Sequence, residues 1–129
     1  MIRVLLVDDS PDFLNAITEF LTLFSDITVV GQALSGPEAL DLDDDLHPDL
    51  VLIDLIMSGM NGLEATRLLC QRALAPRVVI VTSYDDLEYR VAAVAVGASG
   101  YLVKPDLALT LLPLLHSLFP SRVMAVSVA

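Results

Sequence analysis

Residues 2–9 read IRVLLVDD, an apolar, β-favouring run that stops at two carboxylates, Asp8 and Asp9. Three later stretches repeat the pattern. LVLI (50–53) ends at Asp54, RVVIV (77–81) at Thr82 and GYLV (100–103) at Lys104. A fifth run, ITVVG, occupies 27–31. Continuous apolar runs of this length suit strands covered on both faces. Helical patterns lie between them. Ser10 and Pro11 read as cap and first helical residue. Phe13, Leu14, Ile17, Phe20, Leu21 and Phe24 follow at helical spacing. Ser35 and Glu38 form a capping box with Pro37 in the first turn. Asn61 and Glu64 open a helix over 62–73. Asp85 and Glu88 open another that reaches Val96 and stops at Gly97. The last helix covers 106–118. Strands that alternate with helices in this way predict an α/β domain, with a parallel sheet and helices on both faces.

At 129 residues the chain is long enough for one domain with a substantial core. Its 55% apolar content excludes a disordered segment. Seventeen acidic residues against seven basic ones give a net charge of −10, which repels phosphate backbones. Direct nucleic-acid binding by this domain is therefore not expected; a divalent cation or a basic partner surface suits it better. The single Cys70 cannot close an internal disulfide and fits a reducing, cytoplasmic setting. It lies in the helical pattern ATRLLCQRAL and reads as a buried structural thiol. The first apolar run is interrupted too early for a secretory signal. LALTLLPLLHSLF, broken by Thr110, Pro113 and His116, is too short to span a bilayer.

If the runs are parallel strands, Asp8, Asp9, Asp54, Thr82 and Lys104 meet at one sheet edge, the edge where open α/β sheets bind ligands. Three carboxylates there repel one another, and a hard cation removes the conflict. Mg2+ takes oxygen ligands and typically one or two carboxylates plus a phosphate. The set therefore describes phosphoryl transfer, dominated by positioning and charge neutralisation. Asp54, alone at its strand end, is the candidate nucleophile that becomes an aspartyl phosphate. Asp8 and Asp9 would hold the metal. Lys104 would face a phosphoryl oxygen, and Thr82 would donate a hydrogen bond to another. His47 and His116 have no companions at metal-ligand spacing and are neither ligand nor base.

The segments VLLVDDSPDF, PDLVLIDLIMSGMNGLEATRLL, VIVTSYDD and GASGYLVKP together resemble the receiver domain of bacterial two-component response regulators. The resemblance spans residues 4–105 and is greatest to receivers that precede a helix-turn-helix output domain. It implies a flavodoxin-like fold with sheet order 2-1-3-4-5. It implies that Asp54 takes phosphate from a sensor histidine kinase. By the same resemblance Asp9, Asp54 and the Ile56 carbonyl hold Mg2+, with Asp8 acting through water. Lys104 then pairs with the phosphoryl group, and Thr82 and Tyr101 rearrange to change the surface of the fourth helix, fifth strand and fifth helix. It also implies a cis peptide at Lys104-Pro105. Residues 1–119 would be the receiver. Residues 120–129 read as an extra strand, a frayed end or the stub of a linker.

Several departures carry expectations of their own. Ser58 stands where the family often has proline. Pro113 should end or kink the last helix, at about 3 kcal/mol if the helix continued undisturbed. Leu107, Leu109, Leu111, Leu112, Leu114, Leu115, Leu118 and Phe119 cover most of that helix, so its outer side is expected to seat a second copy or an effector. Asp41–Asp45 opposes the helix dipole and should end the second helix early. Ile56 and Tyr84, bulky and poor bases, should shield the phosphoryl group from water. Three other readings fit less well: an aspartyl-phosphate phosphatase, a flavin module, and an adaptor that is not phosphorylated. The first lacks an acid two residues past Asp54, where Ile56 stands. The second lacks a Ser/Thr/Gly-rich first turn. The third leaves the five-residue set unused. An enzyme acting on other molecules is therefore not expected.

Overall fold

The computed structural model describes residues 1–120. In chain order the elements are β1 (Ile2–Val7), α1 (Pro11–Leu21), β2 (Ile27–Ala33), α2 (Gly36–Leu46), β3 (Leu50–Ile53), α3 (Gly62–Cys70), β4 (Arg77–Thr82), α4 (Leu87–Ala95) and β5 (Gly100–Val103), followed by a short 3-10 turn (Lys104–Asp106) and α5 (Leu107–Leu118). All pairings are parallel, in the order β2-β1-β3-β4-β5. The β1–β2 register slips between Val4 and Leu5, so Val30 is the extra residue of a bulge.

Side chains of β1 alternate across the sheet, as strand geometry requires. Ile2, Val4 and Leu6 face α1 and α5, where Leu14, Ile17, Leu21, Leu107, Leu111 and Leu115 close the first core. Leu5 and Val7 face the other side and join Val51, Ile53, Val78, Ile80, Ala65, Leu69 and Ala93. Each fully buried aliphatic side chain is worth about 1.5–3 kcal/mol. The central strands, apolar on both faces, are thereby pinned between two helical layers.

Four local expectations are corrected. First, α2 does not stop at the acidic stretch but continues to Leu46. The Arg72 guanidinium meets the Asp43 Oδ2 at 2.9 Å and the Leu40 carbonyl at 3.1 Å, and it also contacts Asp44. Arg3 caps the Leu46 and His47 carbonyls at 2.6 and 2.9 Å. Two cations supplied from elsewhere in the fold thus offset the charge that opposes the dipole. Second, α5 runs through Pro113 without ending. Leu109 and Pro113, the two ends of the missing hydrogen bond, are both exposed, so water can take the carbonyl. Third, Lys104-Pro105 is trans; Pro105 sits in the first turn of the 3-10 segment, where its missing N–H costs nothing. Fourth, Asp85 does not cap α4 but pairs with Arg90 at 2.9 Å, and Asp86 holds the cap position.

The last helix is also less exposed than its composition suggests. Leu107, Leu111 and Leu115 are buried, and Leu112, Leu114, Leu118 and Phe119 pack partly against the same core. Only Leu109, 82% exposed, points fully outward among the large apolar residues of α5. An exposed apolar stripe instead runs along α4, through Leu87, Val91 and Val94. Cys70 is half-buried rather than buried, and its thiol donates to the Gly97 carbonyl at 3.4 Å. Apart from Pro120, the tail reading falls on residues outside the described ones.

Candidate functional site

The register of the sheet assembles the site. Val7 pairs with Ile53 in neighbouring strands, so the next residues, Asp8 and Asp54, emerge side by side. The ladder extends one step beyond the strands: the Asp54 N–H donates to the Val7 carbonyl at 2.9 Å, and the Asp8 N–H to the Ala33 carbonyl at 3.1 Å. Thr82 pairs with Val103, which sets Lys104 just past the end of β4. The five residues singled out in the sequence therefore share one edge.

Asp8, Asp9 and Asp54 each offer a carboxylate oxygen, and the three atoms lie within 4.8 Å of one another. Asp8 and Asp54 are 1% and 8% exposed, whereas Asp9 faces solvent. Both Asp8 oxygens are in use. Oδ1 accepts from the Ser10 N–H at 2.9 Å, and Oδ2 accepts from the Lys104 ammonium at 2.8 Å. The same ammonium is 3.5 Å from the Asp54 Oδ2. Burial pushes the Asp54 carboxyl above its ordinary pKa and the nearby Asp8 adds to this; Lys104 and a backbone hydrogen bond from Ile56 pull the other way. Three carboxylates against one ammonium leave negative charge in excess, and the donor set is all oxygen. That chemistry fits a hard divalent cation such as Mg2+.

Thr82 is fully buried, and its Oγ1 accepts from the Tyr84 N–H at 3.4 Å. The Tyr101 hydroxyl donates to the Tyr84 carbonyl. Arg90 stacks on the Tyr101 ring, 4.6 Å from its centre. The Tyr84 backbone thus joins Thr82 at the site to Tyr101 on the edge strand. His47 and His116 stand outside the cluster: His47 caps α2 in a left-handed conformation, and His116 is exposed on α5.

Two features were not legible in the sequence. Lys104 is nearer Asp8 than Asp54 in this structure, so it forms part of the acidic pocket itself. Gly62, at the first position of α3, presses against the loop that follows β3: a Cβ there would stand 2.1 Å from the Asp54 carbonyl oxygen. The only sequence signal for it was a glycine directly after the Asn61 cap.

A five-stranded parallel sheet in this order, with acid, hydroxyl and ammonium gathered at its carboxyl edge, is a flavodoxin-like α/β architecture. Residues 4–112 match the response regulator receiver domain family, and the chain belongs to it. It is 39% identical over 108 residues to the transcriptional regulatory protein LiaR of Bacillus subtilis, covering 84% of this chain and 51% of LiaR. It is 40% identical over 113 residues to the nitrate/nitrite response regulator protein NarL of Escherichia coli K12, covering 88% and 52%. The chain thus spans about half the length of these curated relatives. Among solved structures it resembles a two-component response regulator of the LuxR family from Aurantimonas (TM-score 0.88, 29% identity, 98% of this chain and 90% of that one). It also resembles the response regulator domain of Thermotoga maritima CheB (TM-score 0.84, 30% identity, 91% and 95%).

Proposed function

We propose that this domain is a phosphorylation-dependent switch in which Asp54 accepts a phosphoryl group from a sensor histidine kinase. The observation that carries the reading is the pocket itself: three carboxylate oxygens within 4.8 Å, with an ammonium 3.5 Å from the one at the end of β3. An Asp54 carboxylate oxygen attacks phosphorus, the bond from phosphorus to the donor histidine nitrogen breaks, and the imidazole leaves with that electron pair. Asp8, Asp9, Asp54 and the Ile56 carbonyl would hold Mg2+, which when bound neutralises charge on the transferring phosphoryl oxygens. Lys104 supplies a fixed positive charge beside the acceptor, and the Thr82 hydroxyl is within reach of a rearrangement that contacts the new phosphate.

The Tyr84 backbone links that rearrangement to Tyr101, so a change at Thr82 is felt at the face made by α4, β5 and α5. The exposed Leu87, Val91 and Val94 lie on this face, with Leu109 on α5. A second copy or an effector would dock there, and the output would be control of transcription or of a partner protein. The setting is cytoplasmic; no helix among the described residues is long and apolar enough to cross a membrane.

Incubation with acetyl phosphate and Mg2+ tests the core of the reading. The protein should gain one phosphate by intact mass, and Asp54→Ala should gain none. A wild-type protein that stays unmodified, or an Asp54→Ala variant labelled to the same extent, would refute it. Light scattering before and after labelling reads the docking face; a species that stays monomeric in both states argues against self-association.

A further inference from the structure

We propose that Phe13 is a positioning residue for Lys104, holding the ammonium at the pocket together with the carboxylates. The proposal rests on Asp54 being the phosphoacceptor. The Lys104 Nζ lies 4.1 Å from the centre of the Phe13 ring, over its face. The same ammonium meets the Asp8 Oδ2 at 2.8 Å and the Asp54 Oδ2 at 3.5 Å. The electron-rich face of an aromatic ring attracts a cation, more strongly where water is partly excluded. The Lys104 side chain is only 20% exposed.

The helical turn that carries the ring is itself tied to the pocket. The Phe13 N–H donates to the Ser10 Oγ at 3.2 Å, and the Ser10 N–H donates to the Asp8 Oδ1 at 2.9 Å. Asp8 Oδ2 then returns to Lys104. Contacts run from Asp8 through the α1 cap to Phe13, on to Lys104 and back to Asp8. A lysine ammonium on a flexible four-carbon stem would otherwise sample many positions. Here two contacts limit it, an acid and a π face. When the acceptor gains negative charge, the ammonium has a short, guided path toward it, which is the gain from pre-positioning. In the sequence Phe13 was only one member of the helical apolar pattern of α1. A leucine there would fill the same partly buried space against the core without offering a π face.

The test compares wild type, Phe13→Leu and Phe13→Tyr. The probe is beryllofluoride with Mg2+, a mimic of the aspartyl phosphate, together with the NMR shifts of the Lys104 ε-methylene protons. The ring over Nζ should move those protons upfield in wild type and in Phe13→Tyr, and the displacement should vanish in Phe13→Leu. Phe13→Leu should bind beryllofluoride about fivefold more weakly, while Phe13→Tyr stays within about twofold of wild type. A role in packing alone would leave the Lys104 shift and the Leu/Tyr ordering unmoved. Ordinary Lys104 shifts in wild type overturn the proposal without any variant. Equal beryllofluoride affinity in wild type and Phe13→Leu overturns it as well, and so does equal weakening in both variants. A wild-type protein that takes no beryllofluoride overturns the phosphoacceptor reading and this one together.

Discussion

Replacing Gly62 by alanine places one methyl group against the backbone that carries Asp54, the proposed phosphoacceptor. The added Cβ would lie 2.1 Å from the Asp54 carbonyl oxygen, 2.9 Å from the Asp54 carbonyl carbon and 2.9 Å from the Leu55 Cα. All three are main-chain atoms, so no rotamer change relieves the clash. Gly62 is outside the left-handed region, so the penalty is steric rather than conformational. Overpacking of a tight site costs about 1–3 kcal/mol, and rigid backbone neighbours place this case at the upper end. Displacing α3 to make room also strains the hydrogen bond from the Gly62 N–H to the Leu55 carbonyl, now 2.8 Å, at about 1 kcal/mol. Alanine's better helix propensity returns about 1 kcal/mol at most. The net expectation is a loss of about 3 kcal/mol, read as a lower urea midpoint with unchanged slope. Gly59→Ala is the control. Its φ of +78° makes alanine strained, but no atom lies within 4 Å, so only about 1–2 kcal/mol is expected. Acetyl phosphate labelling should fall in Gly62→Ala even under conditions where the protein remains folded, because the loop bearing Asp54 has moved. A Gly62→Ala protein with wild-type midpoint and labelling would refute the reasoning.

Arg72→Met removes the cation from Asp43, which is 3% exposed and whose Oδ1 has no hydrogen-bond partner. Breaking a buried pair costs 3–5 kcal/mol; because the Arg72 side chain is 27% exposed, about 2 kcal/mol is expected by urea titration, and adding Asp43→Asn should recover part of it. An Arg72→Met midpoint equal to wild type would count against the clasp. Burial raises the Asp54 pKa, so its contribution to stability is greatest below the unfolded value of about 3.9 and is lost as pH rises through the folded value. Asp54→Asn should therefore raise the Tm at neutral pH and lose that advantage as pH falls toward 4; an increment independent of pH would be the contrary result. Ile56 and Tyr84 are exposed on the two loops whose backbone N–H groups contact Asp54 and Thr82. Label on Asp54 should decay slowly in Mg2+ buffer and faster in Ile56→Asn, and decay within seconds in wild type would contradict the shielding.

Much of the fold was legible because the sheet is buried on both faces. That constraint makes most of β1, β3 and β4 apolar, and it makes their ends visible wherever a polar residue appears. Capping was equally local: the Ser10, Ser35 and Asn61 side chains each accept the expected backbone N–H. Misreadings arose where a partner distant in sequence decides the outcome. Nothing within Asp41–Asp45 announces that Arg72 and Arg3 will neutralise that end of α2. Nothing within the apolar last helix shows that Leu112, Leu114 and Leu118 curl back onto the core and leave Leu109 outside.

The site follows the same division. That the five residues meet at one edge was readable because each lies at or just past a strand end, and strand ends are ordered by the sheet. Pairing was not, because it depends on how far a side chain reaches across that edge. Lys104 illustrates the point. Position alone assigns it to a phosphoryl oxygen at Asp54, yet its ammonium rests closer to Asp8, by 2.8 against 3.5 Å. The preference has a physical basis. Asp8 is the more buried of the two acids, and its other oxygen is already held by the Ser10 N–H, so its free Oδ2 is fixed in direction. Asp54 keeps its carboxylate less committed, with a raised pKa and a longer contact to the ammonium. An acceptor needs that freedom, since a carboxylate oxygen locked in a short ion pair is a poorer nucleophile. Under the proposed function the resting geometry separates two tasks among chemically identical side chains: Asp8 anchors the lysine, and Asp54 is left available to react.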